Sequence, residues 1–164
     1  MRSNLKVVTM PKLADTEKQL TDEEFSTFER LFRRQLPLSF KTHYVSDNGG
    51  APYEEDVGAG KWGLPVHGFV PIKYGRLTIE ELIERIGRID PKDNRFGSWA
   101  KFFYVPFAHD AGANIIFLSL KDSDYGSVYW TDTVSHAPDG GSIYMISSSF
   151  DEFRARLYQP SAKS

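Results

Sequence analysis

Four histidines, His43, His67, His109 and His136, are the first candidates for acid–base chemistry or metal ligation. No two stand four residues apart, the spacing at which a helix presents a pair of imidazoles to one zinc ion. His43 falls within a predicted helix and reads as a surface or boundary residue. His109 precedes Asp110 in a predicted hairpin turn, where Asp fits by bonding its own backbone. A general base there needs a nucleophile close in space, and the sequence places none beside it. The chain has no Cys, which removes disulfides, thiolate zinc sites, iron–sulfur clusters and a cysteine nucleophile.

Two further motifs have chemical meaning only in the right setting. Gly58-Ala59-Gly60-Lys61-Trp62-Gly63 matches G-x-G-x-x-G. Dinucleotide binding needs a strand before that pattern and a helix N-terminus after it. Here Glu54-Glu55-Asp56 precedes and Leu64-Pro65 follows, so a loop is predicted. A P-loop is excluded because Trp62 follows Lys61. Asp122-Ser123-Asp124-Tyr125-Gly126 begins like a calcium loop, but position 5 is Gly126, position 6 is Ser127 and position 12 is Thr133. It reads as a polar turn with Gly at its special-angle position. No metal, no cofactor and no catalytic residue is predicted.

Charge points instead to binding. The 164 residues carry 20 basic and 22 acidic side chains, with an isoelectric point near 6.1. That balance argues against a general nucleic-acid binder, which shows a basic stripe. Between Asp110 and Phe153 there are seven acids and a single base, Lys121, so one part of the surface is strongly negative. Candidate partner-binding residues are Glu54, Glu55, Asp56, Trp62, Asp110, Asp122, Asp124 and Tyr125. Trp62, in a stretch without periodicity, is either a plug at the sheet edge or an exposed anchor. Three adjacent carboxylates in a loop rarely converge on a metal, so Glu54–Asp56 reads as a patch for a basic partner or a solvated loop.

These residues must be held by a fold. Residues 1–20 are polar and aperiodic, a predicted loose arm whose longest apolar run is Val7-Val8. No signal peptide or membrane span is predicted, and the chain reads as soluble and cytoplasmic. Thr21-Asp22-Glu23-Glu24 is a capping box, followed by Phe25, Phe28, Leu31 and Phe32 at helical spacing up to Leu36-Pro37. Pro37 opens a second helix through Phe40, Tyr44 and Val45, closed by Asn48-Gly49-Gly50. A Gly-rich loop over 49–63 and a short strand over 69–72, at an edge or beside a bulge, follow. Thr78-Ile79-Glu80-Glu81 is a second box, opening a helix that ends before Pro91, with a polar loop over 90–98. Residues 102–108, 114–120, 127–131 and 143–146 read as an antiparallel meander. Ser149 caps a last helix with Phe150, Phe153 and Leu157 as its stripe, and Glu152 completes a third box. This is a single α+β domain over residues 21–158, with a tail over 159–164. Its mainly antiparallel sheet is flanked by N-terminal helices, one middle helix and a C-terminal helix.

Three blocks, in order, resemble the SUKH superfamily of Smi/Knr-type domains. The first runs Leu36-Pro37-Leu38-Ser39-Phe40-Lys41-Thr42-His43-Tyr44 to Asn48-Gly49-Gly50. The second is Tyr104-Val105-Pro106-Phe107-Ala108, then Asp110, Gly112 and Asn114, the apolar run 115–120, and Gly126-Ser127-Val128-Tyr129. The third is Ser149-Phe150-Asp151-Glu152-Phe153. One departure is Ala111-Gly112-Ala113, where members often carry an unbroken Gly pair. The resemblance implies a non-enzymatic immunity protein that binds one cognate toxin domain, nuclease-like toxins being among those the superfamily counters, by covering its active site or holding it inactive. Its fungal relatives imply the alternative, an intracellular regulatory or scaffold module. Toxins acting on polyanions have basic clefts, which an acidic, aromatic-bearing surface would match.

Overall fold

The computed structural model describes residues 12–32, 34–89, 102–132 and 143–158. In chain order the elements are β1 (Leu13–Ala14), α1 (Asp22–Glu29), α2 (Leu38–Ser46), β2 (Ala51–Pro52), α3 (Glu54–Gly58) and β3 (Gly68–Phe69). They continue with α4 (Ile79–Ile89), β4 (Tyr104–His109), β5 (Ile115–Ser119), β6 (Val128–Thr131), β7 (Ile143–Ser147) and α5 (Phe150–Leu157). Helices begin where polar side chains can satisfy free backbone donors. Thr21 Oγ1 accepts from Glu24 N–H and the Glu24 carboxylate accepts from Thr21 N–H, both at 3.1 Å. Thr78 and Glu81 repeat the exchange at the start of α4. Ser149 caps α5 in the same way, but Glu152 turns to Ser148, accepting from its N–H and hydroxyl, so the third box does not close on Ser149.

Five strands form one antiparallel sheet in the order β3-β4-β5-β6-β7, and β1 pairs with β2 in a second, two-stranded sheet. This is the expected α+β architecture. Every β5 residue is buried, so both faces of the sheet are covered there. Ile116 and Leu118 join the main core with Phe25, Phe28, Phe40, Tyr44, Phe107, Phe150 and Phe153. Ile115 and Phe117 point into a smaller cluster with Ile86 of α4. Full burial of each large apolar side chain is worth about 1.5–3 kcal/mol relative to exposure, so the phenylalanine cluster dominates folding. A pairing irregularity between Pro106 and Ala108 marks a bulge at Phe107. The buried Tyr44 hydroxyl lies 2.8 Å from the Val70 carbonyl and 3.0 Å from that of Phe107, clipping the exit of β3 to the bulge.

Several local expectations are corrected. Helix α1 stops at Glu29 instead of running to Leu36. The Glu29 carboxylate accepts from Leu36 N–H at 3.0 Å, and the segment between is drawn to the β5–β6 turn by Arg34, which donates to the Leu120 carbonyl and Asp122. The predicted 49–63 loop contains β2 and α3. The predicted strand over 69–72 shrinks to Gly68–Phe69, at the sheet edge as expected. Residues 12–20 of the predicted arm are docked: Leu13 and Leu20 are buried and Glu17 N–H donates to the Asn48 carbonyl at 2.9 Å. His43 is buried against Phe69, Tyr44 and Phe150, not at the surface. Residues 1–11, the 90–98 loop, His136 and the 159–164 tail lie outside the described residues.

Asn48 is the knot that holds the segments leading to the site. Its side-chain amide donates to the carbonyls of Lys18 and Lys73, and its Oδ1 accepts from Ile72 N–H, all within 3.0 Å. Gly50 follows at φ 105, and a Cβ there would stand 2.7 Å from the Ala14 carbonyl oxygen. Only glycine lets β1 approach this closely.

Candidate functional site

Beside that knot, chain segments that are distant in sequence enclose an open cleft of about 1040 Å³. One wall is the end of β1 with Asp15. A second is β2 and α3, with Tyr53, Glu54, Glu55 and Val57. The loop from Trp62 to His67 and the β4–β5 turn, with Asp110, complete it. Among the described residues, the lining includes four carboxylate residues and no Lys or Arg.

Tyr53 precedes α3 in extended conformation, and its carbonyl accepts from Asp56 and Val57 N–H at 3.0 and 3.1 Å. Glu54, Glu55 and Asp56 fill the first turn, where negative charge offsets the unpaired N–H groups. None of the α3 residues is buried. Tyr53 is 42% exposed and Val57 51% exposed, so the apolar side chains of this helix face outward, not into the core. The helix is tied down at its exit: Lys61 N–H donates to the Asp56 carbonyl, and Gly63 N–H to the Leu157 carbonyl of α5.

Asp110 is the most constrained acid of the cleft. One carboxylate oxygen accepts from the N–H groups of Gly112 and Asn114, both at 2.9 Å. The other accepts from Asn114 Nδ2 at 3.0 Å and from the Trp130 indole at 2.8 Å. Partial burial opposes ionisation, but these bonds outweigh it and hold the carboxyl below its ordinary range. The turn carries Ala113 at φ 62, a left-handed angle usually left to glycine. The departure from the Gly pair thus leaves a non-glycine residue in the special position.

The candidate residues from the sequence fall into two groups. Glu54, Glu55, Trp62 and Asp110 line the cleft. Asp56 stands beside them on α3, but accepts from the Tyr158 hydroxyl at 3.3 Å and pairs with Lys61 at 3.6 Å. Asp122, Asp124 and Tyr125 lie at the other end of β5 and make internal bonds. Asp122 pairs with Arg34 at 2.8 Å, and that guanidinium stacks 4.2 Å from the Tyr125 ring centre. The Tyr125 hydroxyl donates to the Gln35 carbonyl. Asp124 accepts from Ser119 at 2.5 Å and from Tyr129 at 2.6 Å. Burial, followed by that bond, pushes the Tyr129 phenol up to about 12. Trp62 is half-buried, packs on the main core and also lines the cleft. Its buried indole N–H has no acceptor among the described residues.

Sequence reasoning missed Asp15, Tyr53, Val57 and His67. Tyr53 and Val57 flank the acidic run at i−1 and i+3 of Glu54, a short amphipathic signal that the surrounding glycines obscured. His67 is exposed, its ring centre 5.7 Å from that of His109. Among the described residues no three His, Asp or Glu side chains gather to hold a metal. No helix among them is long and apolar enough to cross a membrane.

A family model described as SMI1 / KNR4 family (SUKH-1) matches residues 19–156. The chain belongs to the SMI1 / KNR4 (SUKH-1) family. The matched span includes all of the main sheet and every wall of the cleft except the end of β1. No curated protein matches this chain. SUKH-1 membership supports a protein-binding domain as the general type.

Proposed function

We propose that this SUKH-1 domain is an immunity protein acting in the cytoplasm, where it binds a cognate toxin domain and blocks it, with α3 and the cleft as its contact surface. The observation that carries this reading is the cleft itself. It gathers carboxylates from three separate segments, has no Lys or Arg among its described lining residues, and carries the exposed Tyr53 and Val57. Such a surface supplies both parts of a strong interface: apolar anchors at the centre and charge that steers the approach. A toxin that works on a polyanion presents the complementary basic cleft, so covering it blocks catalysis without any chemistry by the inhibitor.

The test is co-expression with the candidate toxin domains of neighbouring reading frames. Protection of growth and a one-to-one complex are expected. Reversal of Glu54 and Glu55 together to Lys is expected to slow association about tenfold and flatten its salt dependence. Complex formation at an unchanged rate and salt slope in that variant would remove the cleft as the contact surface. Weak binding to several clients, with no protection, would favour the regulatory role instead.

A further inference from the structure

The cleft acids differ in what they already hold. Asp110 is saturated by four bonds, and Asp56, beside the cleft, is engaged by Tyr158 and Lys61. Asp15, Glu54 and Glu55 line the same space, and among the described residues their carboxylates make no hydrogen bond or ion pair. Tyr53, the residue before α3, is 42% exposed and belongs to the same lining. Unengaged carboxylates from two chain segments and an exposed aromatic residue in one cleft present complementary surface to a flat cation with several donors.

We infer that the cleft receives an arginine side chain of the partner protein, its guanidinium stacked on Tyr53 and forked between Asp15 and the Glu54/Glu55 pair. This rests on the cleft being the contact surface proposed above, and names the group it selects. Arginine fits where lysine does not. A planar guanidinium lays one face on an aromatic ring while its edge donates to carboxylates in different directions, whereas an ammonium is a point charge without a face. The molecule contains the same arrangement within itself. Arg34 stacks over Tyr125 while donating to the Asp122 carboxylate and the Leu120 carbonyl. The cleft offers the ring and the carboxylates of such a unit without its cation.

The test uses the full chain, titrated with N-acetyl-arginine amide and separately with N-acetyl-lysine amide, and followed by amide and indole NMR resonances. The arginine probe is expected to bind in the millimolar range and to move the resonances of residues 53–57 and the Trp62 indole. Its affinity is expected to exceed that of the lysine probe at least about fivefold. Asp15→Asn combined with Glu54→Gln and Glu55→Gln should weaken it about tenfold. Tyr53→Leu should bring the two probes to equal affinity. All four positions are outside the buried core, and an unchanged amide spectrum elsewhere reports that each variant is folded. Equal binding of both probes by the unaltered chain, or shifts confined to other surfaces, overturns the inference. Growth protection measured beside it separates the two readings: a toxin neutralised by a chain that does not prefer the arginine probe defeats only the arginine site. Arginine preference in the cleft without any neutralisation defeats only the immunity role.

Discussion

His43 is a titratable group held where it has no use for a proton. Both ring nitrogens are buried without a hydrogen-bond partner among the described residues. Desolvation, with a smaller contribution from Arg154, holds its pKa at about 3. The unfolded chain binds a proton near pH 6.5, so stability is complete above that pH and falls as pH drops toward about 3. The fall between pH 7 and pH 5 is expected to be about 2 kcal/mol from this residue alone. His43→Phe should abolish that part of the pH dependence in urea melts. An equal slope in both proteins would mean that another group carries it. Asn48→Ala strands the Ile72 N–H and two carbonyls and is expected to cost about 2–4 kcal/mol by the same measurement. Ala113→Gly relieves a left-handed backbone and is expected to add about 0.5–1 kcal/mol of stability, with a higher midpoint at constant m-value.

At the scale of elements, the two acidic groups of the sequence have different work to do. The β5–β6 turn binds the molecule to itself through Asp122, Asp124 and Tyr125, while Glu54 and Glu55 of α3 line the cleft. Asp122→Lys is therefore expected to leave partner association nearly unchanged, in contrast to reversal of Glu54 and Glu55. The Asp122 side chain is 99% exposed, so its substitution should shift stability by no more than about 1 kcal/mol. Surface plasmon resonance across a salt series distinguishes the two variants. The helix starts at Thr21, Thr78 and Ser149 are legible in the sequence because capping is local: residues three apart supply both donor and acceptor. The meander is legible because alternation and turn residues act over a few positions. By contrast, the end of α1 at Glu29 depends on Arg34 reaching a turn more than eighty residues away. Helix α3 lies in a Gly-rich stretch of five helical residues, too short for a periodic stripe. The cleft is hidden for a related reason: Asp15, Glu54 and Asp110 line it from segments that are far apart in the sequence.

At the scale of the whole molecule, the sheet has two unlike edges. Beside β3, a bridge from Gly50 to Phe69 continues the pairing. At the other end of the strand order, β7 exposes Ile143, Tyr144 and Met145 in succession, without a charge or a proline among them. An apolar edge of this kind favours strand-to-strand association between copies. Met145→Lys is expected to lower the rate of light-scattering growth on concentration, with little change in melting temperature. Unaltered growth in that variant would place the sticky surface elsewhere. Opposite in character is α3, whose side chains contribute nothing to the buried core. Its sequence can drift while the phenylalanine cluster, the Asn48 knot and the sheet stay as they are. On the proposed reading, recognition and foldability occupy separate positions in this chain, and a new specificity can be written between Tyr53 and Gly58 without renegotiating the architecture beneath it.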